Sequence, residues 1–112
     1  MENIVFLELE RRKIPAMELF YWKNIQQEEV DFVVKEKQMV KQLIQVCCSI
    51  DDRDTKEREI RSLLKTSKEL KCKKLIMITE EYKGESEEEW FGIKGKIIYI
   101  PLWKWLLEDG YK

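Results

Sequence analysis

Glu29-Val30-Asp31-Phe32-Val33-Val34, followed at a short distance by Leu43-Ile44-Gln45-Val46-Cys47-Cys48, decides how this chain is read. Each is an apolar run of strand length. The first carries a carboxylate inside the run, the second an amide and a thiol at alternate positions. Side chains two apart share a face of a strand. Val30, Phe32 and Val34 are therefore expected on one face of the first strand, with Glu29, Asp31, Val33 and Lys35 on the other. Leu43, Gln45 and Cys47 share a face of the second. Matched registers would bring Asp31, Gln45 and Cys47 together.

Working outward, residues 2–13 read as a helix with Ile4, Val5, Leu7 and Leu9 as a broad apolar face and Arg11, Arg12 and Lys13 at its C-terminal end. The chain starts almost inside this helix, which looks trimmed at its beginning, and Pro15 stops it. Residues 18–23 form an aromatic-rich strand, 24–28 a polar connection, and 30–36 the next strand, with the spacing of a hairpin. Lys37-Gln38 is a second tight connection. Residues 39–49 are a third strand, whose nearly continuous apolar core suits burial on both faces. Residues 54–70 are the clearest helix. Asp54 and Glu57 have the spacing of a capping box, and Ile60, Leu63, Leu64, Ser67 and Leu70 make a core-facing stripe. Residues 73–79 are a short buried strand and 80–89 an acidic loop around Gly84. Residues 89–93 and 96–100 are expected to form a small hairpin turning at Lys94-Gly95. Pro101 opens a last helix, 102–108, ended by Gly110.

The order α-β-β-β-α-β-(β-β)-α gives an α/β (α+β) chain: one domain, residues 1–112, with a mixed central sheet flanked by helices. A sheet of that order is the core of the restriction-endonuclease-like fold. Charged residues make up 38% of the 112 residues, well above the usual quarter or so, yet the net charge is only −1. There is thus no global pull toward nucleic acid or an anionic membrane. Dense mixed charge suits a thermophile, although the 3 Cys and 4 Met weigh against that. The absence of histidine removes His-ligated metals and Ser-His or Cys-His catalysis. Cys47, Cys48 and Cys72 show no C-x-x-C spacing and read as reduced thiols of a cytoplasmic protein. No apolar run approaches spanning length, and no signal peptide is evident.

In a nuclease of the PD-(D/E)XK type, paired strands present carboxylates that hold Mg²⁺, and a lysine nearby orients the attacking water. Here Gln45 and Cys47 stand where the second carboxylate and the lysine belong. Gln45 keeps an oxygen but no charge, and Cys47 supplies no cation. Asp31 and, from the first helix, Glu2 are the candidate metal ligands, and Lys35 is a candidate substitute cation. The plainer reading makes Asp31 a hydrogen-bonding residue and Gln45 and Cys47 core filler, and on residue pattern alone it has the greater weight. Lys65, Lys68, Lys71, Lys73 and Lys74 form a basic run. Lys71, Lys73 and Lys74 are candidate DNA contacts, against the commoner role of offsetting a helix dipole. Trp90, Phe91, Trp103, Trp105 and Tyr111 cluster late in the chain, with one of Trp103 and Trp105 expected to be exposed.

Several segments in this order resemble one family. They are Glu2-Asn3-Ile4-Val5-Phe6-Leu7-Glu8-Leu9, Phe20-Tyr21-Trp22-Lys23, the two opening stretches, Thr55-Lys56-Glu57-Arg58-Glu59-Ile60, Ile76-Met77-Ile78-Thr79-Glu80, and Ile100-Pro101-Leu102-Trp103-Lys104-Trp105-Leu106-Leu107. They are similar to the C-terminal domain of unknown function that follows the AAA-type ATPase domain in archaeal and bacterial proteins. The resemblance implies a restriction-endonuclease-like fold, and a branch in which Gln-Val-Cys replaces the Glu-x-Lys of active nucleases. The ATPase part is missing, since no G-x-x-x-x-G-K-[ST] loop occurs. The leading expectation is a catalytically degenerate nuclease-fold module that mediates interaction. Its partner classes are an ATPase domain or protein, DNA, or a second copy in a homodimer, and it has no membrane role. No cofactor is expected, with Mg²⁺ required only by the alternative of an active DNA nuclease. A folded gene remnant without activity is the third reading.

Overall fold

Helix α1 (Glu2–Arg12) is followed by three strands, β1 (Met17–Lys23), β2 (Glu29–Glu36) and β3 (Met39–Val46), in a computed structural model that describes residues 1–108. These strands pair antiparallel through short turns. Helix α2 (Arg53–Leu70) crosses over to β4 (Leu75–Thr79), which pairs parallel to β3. Strand β5 (Gly84–Trp90) lies at the far edge, β6 (Ile93–Pro101) returns between β5 and β4, and α3 (Leu102–Leu107) follows. The result is one mixed six-stranded sheet of order β1-β2-β3-β4-β6-β5. The mixed sheet flanked by helices is thus as the sequence suggests.

Each face of the sheet has its own core. On one side α2 lays Leu63 and Leu64 on Val33, Leu43, Met77 and Tyr99. On the other, Val5 and Leu9 of α1 and Trp105 of α3 cover Phe32, Val34, Ile44 and Ile78. Only part of the apolar face expected of α1 is used, because Ile4 and Leu7 remain exposed. Trp105 is buried and Trp103 exposed. Arg12 ties α1 to α3. Its guanidinium lies 4.4 Å from the centre of the Trp105 ring and donates to the Trp105 and Glu108 carbonyls at 2.7 and 3.0 Å, closing the end of the short helix.

The β1–β2 turn is held by Asn24, whose Oδ1 accepts the backbone N–H groups of Gln26 and Glu28. It places Glu28 against α2. There the buried carboxylate accepts from the Ser62 hydroxyl at 2.8 Å and the Lys65 ammonium at 3.2 Å, with Arg61 Nε at 3.4 Å. Burial pushes this carboxyl up, but Ser62, Lys65 and Arg61 together outweigh it, and it sits below its ordinary value.

Four local expectations are corrected. Helix α2 is capped by Asp52, which accepts the Thr55 N–H at 3.1 Å, and Asp54 lies in its first turn. Much of the expected acidic loop is strand β5, where Lys94 and Lys96 stand opposite Glu89 and Glu87 and offset their charge. Its glutamates also charge an exposed sheet edge. The hairpin turns at Phe91-Gly92, with φ of 44° and 83°, and not at Lys94-Gly95. Gly95 lies inside β6, where an added Cβ would stand 2.8 Å from Leu64 Cδ2, so the glycine serves close packing of α2. Finally, β2 does not alternate as expected. Trp22 pairs with Val30 and Phe20 with Val33, so Tyr21 faces both Asp31 and Phe32 in a β-bulge. Val30 therefore joins Val33 in the α2-side core, apart from Phe32 and Val34. The expected stop at Gly110 and the placement of Tyr111 fall outside the described residues.

The candidate site at the β2 bulge

A bulge leaves backbone groups of one strand without ladder partners, and buried ones must be satisfied some other way. Gln45 does this. Its side-chain oxygen accepts the Asp31 N–H and its Nε2 donates to the Glu29 carbonyl, both at 2.8 Å. It is 1% exposed, and its amide can donate and accept at once, where an ionised carboxylate of the same shape only accepts. Asp31 Oδ2 accepts the Val46 N–H at 2.8 Å, just past the end of the β2–β3 register. The two residues thus lock the bulge from both strands.

Asp31 lies among like charges. Burial pushes its carboxyl up to about 7, against the hydrogen bond from Val46, and the negative fields of Glu2, Glu59 and Glu29 push the same way. Glu59 is half-buried on α2 and its own carboxyl is also raised, by burial first and then by Glu2 and Glu29, against the adjacent Arg58.

Of the residues singled out from sequence, Asp31 and Gln45 are brought into direct contact, and Glu2, exposed on α1, faces the same region. Cys47 is not part of that contact. It is sealed in the α2-side core, where burial pushes its thiol up against the hydrogen bond from Ser49, so it is not poised as a nucleophile. Lys35 is four positions along β2 from Asp31, roughly 13 Å at strand rise, and stands beside Glu18 and Val40. It is too distant to act as the substitute cation expected beside Asp31. Lys71 and Lys73 are exposed at the far end of α2, with Lys71 as its C-cap at φ 56°, and Lys74 is half-buried. Helix rise puts Lys71 roughly 18 Å along α2 from Glu59.

Sequence reasoning missed Glu28 and Glu59. Glu59 carried a legible signal, since it is next to Ile60 of the core stripe and within two turns of the helix start. Glu28 carried none, because a glutamate in a polar connection reads as solvated.

A Mg²⁺ ion takes several oxygen ligands in near-octahedral geometry. The donors here do not suit one. The Gln45 oxygen is taken by the Asp31 N–H, and one Asp31 oxygen by Val46. No group of three or more Asp, Glu, Cys or His side chains among the described residues lies close enough to hold a metal ion.

The sequence pattern of a domain of unknown function, DUF4143, matches residues 1–105. A protein of Methanocaldococcus jannaschii described as uncharacterised is 36% identical over 110 residues, which is 96% of this chain and 24% of that protein. The chain thus spans about a quarter of the length of the curated relative it matches.

Proposed function

The chain belongs to the DUF4143 family, and on that premise we propose that it is a non-hydrolytic interaction module built on a restriction-endonuclease-like, PD-(D/E)XK frame. The observation that carries this reading is the state of Gln45. Its amide is committed at both ends to the β2 backbone. In the nuclease arrangement that position offers a charged ligand to metal. Here it works as an internal strut, and a carboxylate could not donate to the Glu29 carbonyl.

Asp31 supports the same reading. A carboxyl raised to about 7 is only partly ionised at neutral pH, and the charged side chains that act on it most among the described residues are the acids Glu2, Glu59 and Glu29. A phosphodiester would meet negative charge there, without the cation that stabilises a phosphoryl transition state.

DUF4143 domains are known at the C-terminal side of AAA-type ATPases. An ATPase part, in the same chain or another, is therefore the partner class that membership favours. Ile4 and Leu7 of α1 and Trp103 and Leu107 of α3 are exposed on elements of one side of the sheet, which gives such a partner apolar surface to cover.

One observation favours a second reading, a Mg²⁺-dependent nuclease. Glu2, Glu29 and Glu59 all act electrostatically on Asp31, so carboxylates from α1, β2 and α2 do gather at this end of the sheet. Incubation with single-stranded, duplex and branched DNA in Mg²⁺ or Mn²⁺ separates the two. No cleavage is expected. Cleavage that disappears in Asp31→Asn overturns the interaction reading.

A further inference from the structure

At the opposite end of α2 from Glu59, three elements deliver lysines to one place. Lys68 comes from the last turns of α2, Lys71 and Lys73 flank its end, and Lys94 comes from the start of β6. With Ser67 and Ile93 they line a cavity of about 390 Å³. All of these lysines are exposed, and none has a carboxylate within ion-pair distance among the described residues. The helix dipole accounts for Lys68 and Lys71, but not for Lys73 or Lys94, which lie off the helix. Lys74 does not line the cavity, so the basic run legible in sequence is only partly the basic surface.

The cavity continues. A second hollow shares Lys68 and Ile93 with it and runs over α2 to Asn24 and Gln26 of the β1–β2 turn. Glu69 is the acidic group along that track, and Glu89 stands opposite Lys94 across the hairpin. Lys65 also lines the second hollow but is paired with Glu28, and the other four cations against these two carboxylates leave the track net positive.

Phe91 is next to the hollow in the chain. It is 88% exposed, at the tip of the β5–β6 turn directly before the cavity residues Gly92 and Ile93. Its φ of 44° is one that bulky side chains rarely adopt, and Asn or Gly would suit the place better. An aromatic ring kept in a disfavoured backbone state with no core to fill is an outlier of the kind that marks function. The ring is held edge-on by Trp90, 4.7 Å away, and the Trp90 ring in turn lies under Arg61.

We propose that the lysine-lined hollow between the end of α2 and the β5–β6 turn binds single-stranded nucleic acid, with its phosphates on Lys68, Lys71, Lys73 and Lys94 and a base stacked on Phe91. Lysines act as point charges that neutralise a backbone without reading sequence. One exposed ring offers a stacking platform to any unpaired base, which a duplex cannot present. An acidic peptide would satisfy the lysines but leave Phe91 without a purpose. The inference rests on the reading of the chain as an interaction module, yet its surface is separate from the bulge.

Fluorescence anisotropy with a labelled oligothymidylate of about 15 nucleotides, alongside an oligouridylate, a duplex and polyglutamate, tests it. The single strands are expected to bind more tightly than the duplex or polyglutamate. The logarithm of affinity should fall against log salt with a slope of about −0.7 per phosphate contacted. Lys71→Glu with Lys94→Glu should weaken binding at least about 10-fold and flatten that slope. Phe91→Asn should weaken binding a few-fold at an unchanged slope while raising the melting temperature, because asparagine tolerates the turn. Preference between the thymidine and uridine strands assigns DNA or RNA. Duplex or polyglutamate binding as tight as the single strand overturns the proposal, as does full affinity in the folded double-charge variant. Should that variant not fold, Lys68→Gln with Lys73→Gln serves in its place. The same oligonucleotide incubated with Mg²⁺ keeps the two proposals apart. Binding with cleavage sinks the non-hydrolytic reading alone, and neither binding nor cleavage sinks the groove alone.

Discussion

Glu28 and Asp31 stand at the same end of β2, and their carboxyls are pushed in opposite directions. Glu28 is only 6% exposed, yet its carboxyl lies below its ordinary value, because Ser62, Lys65 and Arg61 gather on it against the effect of burial. Asp31 is the more open of the two and is raised to about 7, because burial acts with acidic neighbours and one N–H is the counterweight. Burial pushes both carboxyls up, and the partners decide whether that push is overcome. The difference also separates two kinds of polar residue in this fold. Glu28 is a satisfied joint that docks a hairpin on a helix. Asp31 is an acid whose leading charged neighbours among the described residues are also acids.

Removing the joint should have the largest effect. Glu28→Ala strips the partner from the buried Ser62 hydroxyl and from Arg61 and Lys65. Loss of one member of a buried ion cluster costs about 3–5 kcal/mol, and the partial exposure of both cations brings the expectation to the low end, about 3–4 kcal/mol. Urea denaturation at neutral pH measures it. The depressed carboxyl sets the sign with acid: its contribution is present above about pH 4.3 and disappears as pH falls through the lower folded value. A loss under about 1 kcal/mol, the range of exposed pairs, would break the comparison by making Glu28 a surface residue in energetic terms.

Gln45 comes next. Gln45→Leu keeps the volume but orphans the Asp31 N–H and the Glu29 carbonyl, and is expected to cost about 2–3 kcal/mol. Gln45→Glu, which installs the carboxylate of the PD-(D/E)XK pattern, sets a carboxylate oxygen against the Glu29 carbonyl and adds another acid beside Asp31. It should destabilise most at high pH and recover on addition of Mn²⁺ if a metal site forms. The companion change Cys47→Lys is not a simple restoration. Cys47 is packed in the α2-side core, so an ammonium there is buried without a partner and the double variant is expected not to fold. Equal thermal melts for Gln45→Leu and the parent would remove the strut role.

The order of the elements and their layering were legible because long apolar periods and turn residues report them directly. The pairing of Asp31 with Gln45 was legible too, since adjacent strands with polar residues in their apolar runs have few other ways to satisfy them. What those residues do there was not. The bulge that reassigns Val30 to the other core depends on Tyr21 facing two residues at once, a property of the pairing and not of either strand. Strand β5 was hidden for a similar reason. A run of glutamates has poor strand propensity by itself, and only Lys94 and Lys96 across the ladder make it viable. Gly95 looked like a turn residue because close helix packing and a tight turn select the same side chain.

The smallest expected effect is the most direct test of the contrast. Asp31→Asn keeps an oxygen for the Val46 N–H and removes the titration. A carboxyl raised to about 7 in the folded protein and near about 4 in the unfolded chain holds its proton in the native state alone between those limits. Stability from that proton is complete below about pH 4 and is lost as pH rises through 7, the reverse of Glu28. Asp31→Asn should therefore match the parent near about pH 4 and exceed it above neutrality. The full span caps the gain at roughly 4 kcal/mol, and solvent access at the bulge brings the expected value to about 1–2 kcal/mol. Melting temperatures of the two proteins across this range give the difference curve, and carbon-detected titration of the Asp31 carboxyl gives its midpoint. A midpoint near the ordinary aspartate value, with a flat difference curve, would mean that a cation attends Asp31 after all, and Asp31 and Glu28 would then be of one kind.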